Sequence, residues 1–155
     1  MNPENEARIN IDNQLVECGW IIQDYRQINL SVGLGVAVRE YPTDSGEADY
    51  LLFVAGQPVG VIEAKMEGTL LSGVHEQSYR YAAGKLKWFE KAKPLYFVYE
   101  STGSETYFAD YRDPNPVSRE IFSFHKPETL YEWYKKDNSL RYRLKNIPKL
   151  ENINL

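Results

Sequence analysis

Apolar positions recur at two different periods along this chain, and the change of period marks its elements. Over residues 3–19 they fall at Ala7, Ile11, Leu15 and Cys18, three to four apart, which predicts an amphipathic helix. Asn2 suits the cap of that helix and Pro3 its first position. Glu4 and Glu6 suit its positive end, and Gly19 its stop. Trp20, Ile21 and Ile22 are expected to pack the helix exit against a sheet. The pattern turns to β over residues 27–40, ending in a strand around 33–41, and Pro42 to Gly46 carry loop chemistry.

Residues 49–65 organise the rest. An apolar run starts at Asp49, a Gly56-Gln57-Pro58 turn follows, and a second apolar run ends at Glu63-Ala64-Lys65. This predicts a strand, a tight turn and a second strand. Strand alternation puts Val59, Val61, Glu63 and Lys65 on one face and Gly60, Ile62 and Ala64 on the other. Antiparallel pairing then lays the start of one strand beside the end of its neighbour, so Asp49, Glu63 and Lys65 are expected to meet at one edge.

Beyond Lys65, a helix is expected over 71–91, a buried strand over 95–99, and a hairpin partner at 106–109. A short edge strand over 121–124 and a helix from Pro127 to about Tyr134 complete the pattern. The order helix, strands, helix, strands gives an α/β domain with a mixed sheet over residues 1–136. Residues 137–155 are polar and irregular, with Arg141, Arg143, Lys145 and Lys149 among scattered Leu and Ile, and read as a linker.

Composition narrows the choice of function. At 155 residues, with 43% hydrophobic and 26% charged positions, the chain suits one soluble domain with a real core. A net charge of −4 is wrong for a free-standing basic DNA binder, so contact with nucleic acid would need metal, a local basic strip or attached domains. The single Cys18 excludes an intrachain disulfide and suits a reducing cytoplasm. The N-terminus shows no signal pattern, and no apolar run reaches membrane-spanning length.

The chemistry sits in the charged set. An acid beside a base is costly to bury, so Glu63 and Lys65 belong at a strand end opening onto a cleft. Two carboxylates, with the Ala64 carbonyl and water, offer hard oxygen ligands for Mg²⁺. A lysine nearby can position water and balance charge as a phosphodiester is cut. A hairpin with solvated charged ends shows the same spacing, so spacing alone leaves both readings open. The next helix adds to the first. Val74, Gln77, Ser78, Tyr81, Ala82, Lys85 and Phe89 form a stripe on which Gln77 and Tyr81 stack, and an inward glutamine needs polar partners. Lys85, Lys87, Lys91, Lys93 and Arg80 make a basic strip there. His75 and His125 lie in no metal-spaced motif and read as ordinary surface or helix histidines.

Asp49, then Glu63-x-Lys65, then Gln77-x-x-x-Tyr81 resembles the PD-(D/E)xK nuclease superfamily. More narrowly, the chain resembles the N-terminal endonuclease domain of the type I restriction enzyme R subunit, HsdR. Asn5-Glu6-Ala7-Arg8, Cys18-Gly19-Trp20, Val38-Arg39-Glu40-Tyr41-Pro42 and Gly46-Glu47-Ala48-Asp49-Tyr50 carry that likeness over about residues 4–135. The resemblance implies a restriction-endonuclease-like fold, a central mixed sheet flanked by helices, and Mg²⁺-dependent cleavage of double-stranded DNA. It implies Asp49 and Glu63 as metal ligands, Lys65 as the catalytic lysine, and Gln77 and Tyr81 as support for DNA binding or cleavage. Glu6 matches the first-helix acid that assists the metal in relatives, with Glu4 and Glu17 competing for that role. Ala48 stands where the superfamily's name has Pro.

A complete R subunit would add ATP-driven helicase-like motors, and modification and specificity subunits as partners. No phosphate-loop motif occurs here, so ATP is expected to serve only a longer parent. Two other readings compete: a catalytically silent docking or DNA-guiding module, and a repair nuclease of the same superfamily.

Overall fold

The computed structural model describes residues 2–43, 46–71 and 95–136. Helix α1 (Pro3–Glu17) buries Ala7, Ile11 and Leu15 and ends where Gly19 takes φ +101°, a left-handed turn that favours glycine. Seven strands follow: β1 (Ile21–Asp24), β2 (Gly35–Thr43), β3 (Gly46–Val54), β4 (Gln57–Ala64), β5 (Phe97–Ser101), β6 (Thr106–Asp110) and β7 (Arg119–Ile121). Helix α2 (Pro127–Lys136) closes the described chain. The strands lie in sequence order across one sheet. β1/β2 and β4/β5 pair parallel and the rest antiparallel, so the α/β class with a mixed sheet holds.

Both faces of the central strands are covered, which is why β3, β4 and β5 read as nearly unbroken apolar runs. On one face Tyr50, Leu52, Ile62, Phe97 and Tyr99 pack against Ile11 and Leu15 of α1 and Leu130 of α2. On the other, Val36, Val38, Leu51, Phe53, Val61 and Val98 are covered by Tyr25, Ile28, Leu30 and Tyr111. The sheet is therefore the middle layer, and the ends of β2–β5 near Glu40, Asp49, Glu63 and Glu100 form one boundary of the core.

The hairpin departs from expectation in two places. Ala55 and Gly56, at φ +49° and +78°, make a two-residue turn of the kind that matches strand twist, so Gln57 and Pro58 belong to β4. The pairs Leu52↔Gly60 and Phe53↔Pro58 leave Val59 as an extra residue in β4. That bulge re-phases the strand. Val59 packs with Ile62 and Ala64, opposite the core that holds Val61.

Other boundaries moved as well. Ile21–Asp24 is an edge strand parallel to β2, more than a packing exit from α1. The stretch expected to be β from Gln27 is instead two 3₁₀ turns, Tyr25–Gln27 and Leu30–Val32, held by the Asp24 and Asn29 side chains. Residues Pro42 and Thr43 extend β2, which shortens the predicted loop. Parallel pairing with β4 draws Glu100 and Ser101 into β5, while Leu95 stays buried just ahead of it. β7 stops at Ile121. Phe122 faces solvent and Phe124 returns to the core. The predicted 71–91 helix, with Gln77 and Tyr81, the basic strip, His75 and the 137–155 linker, lies outside the described residues, apart from the buried Leu71 at its start.

Candidate nuclease site

Asp49 occupies an interruption in two ladders at once. Between β2 and β3 the paired positions run Arg39↔Tyr50 and Tyr41↔Ala48, skipping Glu40 and Asp49. Glu40 sits there at φ +56°, a left-handed conformation costing a non-glycine residue on the order of 1 kcal/mol. Between β3 and β4 the ladder ends at Tyr50↔Ile62. The next β3-facing amide, Ala64 N–H, donates instead to Asp49 Oδ2 at 2.8 Å. The Lys65 amide points the other way and donates to the Ser101 carbonyl at 2.8 Å. Asp49 thus lies against the peptide that joins Glu63 to Lys65, as antiparallel pairing of the hairpin led one to expect.

Glu63 is 4% exposed and pairs in register with Glu100, also 4% exposed, on the parallel neighbour β5. Glu40, Asp49, Glu63 and Glu100 therefore fall in one row across β2, β3, β4 and β5. Lys65 follows directly after β4 and is half-buried.

Helix α1 meets this row through a base. Arg8 Nη2 binds Asp49 Oδ1, and Arg8 Nη1 reaches Glu40 Oε1 at 3.2 Å. The helix is held in place by Tyr50, whose hydroxyl lies 2.6 Å from Asp12 Oδ1 and 3.1 Å from the Arg8 carbonyl. Burial first, and then the bond to Asp12, push the Tyr50 phenol far above its ordinary range, so it stays a donor. Asp12 also pairs with Arg39 on β2 at 3.2 Å. Glu6 is exposed, and at 3.6 residues per turn it sits roughly 200° around α1 from Arg8. Glu17 lies exposed at the far end of the helix. A pocket of about 430 Å³ opens beside the row, lined by Arg8, Asp12, Asp24, Arg39 and Glu40.

Sequence reasoning expected Asp49, Glu63 and Lys65 to meet, and the structure sets Asp49 against the Ala64 amide between the other two; that reasoning did not single out Arg8, Glu40 and Glu100 as their neighbours. Arg8 borders the Ala7, Ile11, Leu15 stripe, which was the available signal. Glu100 had none, because the register of a parallel pair is not written in either strand.

The donor set suits a hard divalent ion. Asp49 and Glu63 offer carboxylate oxygen, while Cys18 and His125 are engaged elsewhere, with the Phe124 carbonyl and the Tyr99 hydroxyl. Among the described residues no three His, Cys, Asp or Glu side chains gather as a metal cage. A pair of carboxylates with the remaining positions left to water and phosphate is the usual arrangement for Mg²⁺.

Comparison with known proteins bears on the same stretch. The family described as "Type I restriction enzyme EcoKI endonuclease subunit second domain" matches residues 27–97. The EcoKI endonuclease subunit of Escherichia coli (strain K12) is 27% identical over 181 residues, covering 83% of this chain and 15% of that protein. A solved fragment from Vibrio vulnificus YJ016, described as an HsdR subunit of a type I restriction enzyme, has 23% identity and a TM-score of 0.64. It covers 90% of this chain and 26% of the other, and shows that the fold is shared. The chain thus spans a small part of the length of the relatives it matches.

Proposed function

We propose that the chain is part of a type I restriction-enzyme endonuclease subunit, HsdR, on its likeness to the EcoKI subunit, and that residues 49–65 form its Mg²⁺-dependent DNA-cleaving site. The observation that carries this reading is the Asp49 carboxylate resting on the Ala64 amide, one residue from Glu63 and one from Lys65. Asp49 and Glu63 supply oxygens to the metal, in a set of the PD-(D/E)xK type. A bound Mg²⁺ would polarise the scissile phosphate and lower the pKa of an attacking water. Lys65 would position water with its ammonium and offset the charge that builds on the phosphate. Burial of Glu63 keeps bulk water from competing for its carboxylate. Gln77 and Tyr81, outside the described residues, are assigned to support of DNA binding or cleavage.

The remaining assignments concern a longer protein. Double-stranded DNA is the substrate, and ATP-driven motor domains of the same parent deliver it. Modification and specificity subunits complete the complex, which acts in the cytoplasm. Among the described residues no helix is long and apolar enough to cross a membrane.

The test is DNA cleavage by the assembled enzyme carrying Lys65→Ala or Asp49→Ala. Loss of cleavage with ATPase activity retained is the expected result. Unchanged cleavage with ATPase intact overturns the assignment and leaves a docking or DNA-guiding role.

A further inference from the structure

The Asp49 carboxylate already has a cation. Its Oδ2 accepts the Ala64 amide, and its Oδ1 is held by Arg8. Oδ1 therefore faces a positive charge, and a guanidinium and a divalent ion repel each other at one oxygen. The same guanidinium holds Glu40 through its other nitrogen. Glu40 is the more exposed partner: its side chain is 59% exposed, against 13% for Asp49. Its backbone stands in the left-handed region where the β2–β3 ladder is interrupted.

We infer that Arg8 is a resident counter-cation that the divalent metal displaces from Asp49, and that Glu40 retains Arg8 when it leaves. This rests on the reading of Asp49 as a metal ligand. Arg8 is then a positioning residue with two states. In one it bridges Asp49 and Glu40, neutralising the acid row while no metal is bound. In the other it has left Asp49 and stays on Glu40, beside the pocket lined by Asn5, Asp24 and Arg39. The exchange makes metal affinity depend on Arg8 and Glu40 in opposite senses. Arg8 opposes the metal, and Glu40 assists it because its pairing with Arg8 strengthens once Asp49 no longer shares the guanidinium.

Mn²⁺ binding to the full chain, measured by calorimetry and by electron paramagnetic resonance, reads this without any cleavage. Arg8→Gln is expected to tighten Mn²⁺ about tenfold, the effect of removing one competing charge worth about one decade. Glu40→Gln is expected to weaken Mn²⁺ several-fold. The double variant Arg8→Gln/Glu40→Gln decides the mechanism, because its affinity should equal that of Arg8→Gln alone. A Glu40→Gln effect that persists without Arg8 reduces the pair to through-space electrostatics and overturns the exchange. Arg8→Lys keeps the charge but lacks the fork that bridges two acids. It should tighten Mn²⁺ by a smaller factor, and it carries the test if Arg8→Gln unfolds. Asp49→Ala separates the two readings. If it abolishes Mn²⁺ binding while Arg8→Gln and Arg8→Lys leave affinity unchanged or weaker, only the exchange fails. If Asp49→Ala binds Mn²⁺ as well as the parent chain, both fail.

Discussion

Asp49 Oδ2 accepts the Ala64 N–H at 2.8 Å, so the residue proposed to hold a metal also closes the end of the β3–β4 ladder. Asp49→Ala leaves that part-buried amide without its acceptor, which should cost about 1–3 kcal/mol in urea denaturation. Asp49→Asn keeps an oxygen at the same place and should cost less than half as much, while still losing the charge a metal needs. The Asn variant is therefore the cleaner probe of chemistry. Equal stability of the Ala variant and the parent chain would show that water replaces the carboxylate and that Asp49 has no structural duty.

That double duty explains which parts of the site were legible in the sequence. Asp49, Glu63 and Lys65 were readable because hairpin pairing is local, and a short turn brings residues 49 and 63 together whatever the rest of the chain does. The turn was placed one to two residues too late because Pro58 looks like a turn former, whereas the positive φ at Ala55 and Gly56 does the turning. The Val59 bulge was invisible, since the apolar run gives no sign of which residue is extra. Arg8 and Glu40 depend on how α1 packs over the sheet, a contact 32 and 41 residues apart in sequence. Glu100 depends on a parallel register set by a long crossover. His125 was read as an ordinary histidine, yet it packs among Phe108, Trp133 and Tyr99. Alternation and spacing speak only for neighbours along the chain.

Tyr50 fixes α1 above the site, and its hydroxyl is the part that does so. The ring is fully buried in the core while the hydroxyl reaches Asp12 and the Arg8 carbonyl. Tyr50→Phe keeps the packing and removes a donor to a carboxylate, so about 1.5–3 kcal/mol of stability should be lost. Because Asp12 also pairs with Arg39, the double variant with Arg39→Ala should deviate from additivity. Strict additivity in chemical denaturation would mean that the three groups do not act as one network.

Gly60 lies where β4 and β5 approach closely. A Cβ there would lie 2.5 Å from the Phe97 carbonyl oxygen and 3.0 Å from the Phe97 Cβ. The obstacle is backbone in a parallel pair, which cannot swing aside like a side chain. Gly60→Ala should destabilise by about 1–3 kcal/mol as an overpacked core position. It should also weaken Mn²⁺ binding, because Glu63 rides on the same strand three residues on. A neutral effect on the denaturation midpoint would show that the two strands have room to separate.

His125 gives the fold a pH dependence with a definite sign. Its Nδ1 lies 2.7 Å from the Tyr99 hydroxyl. Burial pushes the Tyr99 phenol well above its ordinary range, so it remains protonated. Burial also lowers the imidazole below its ordinary value of 6.5. The native state therefore holds His125 neutral while the unfolded chain protonates it near 6.5, and in that window the unfolded state binds more protons. Stability from this group is complete above about pH 6.5 and is lost as pH falls from there toward the lowered native value, at no more than about 1.4 kcal/mol per pH unit. Protonation would also leave Nδ1 able only to donate to the Tyr99 hydroxyl. His125→Gln, which keeps a polar side chain but does not titrate, should flatten the difference in urea midpoint between about pH 7.5 and pH 5.5. If the variant and the parent chain lose stability equally over that interval, the carboxylates govern the acid limb and His125 contributes nothing to it.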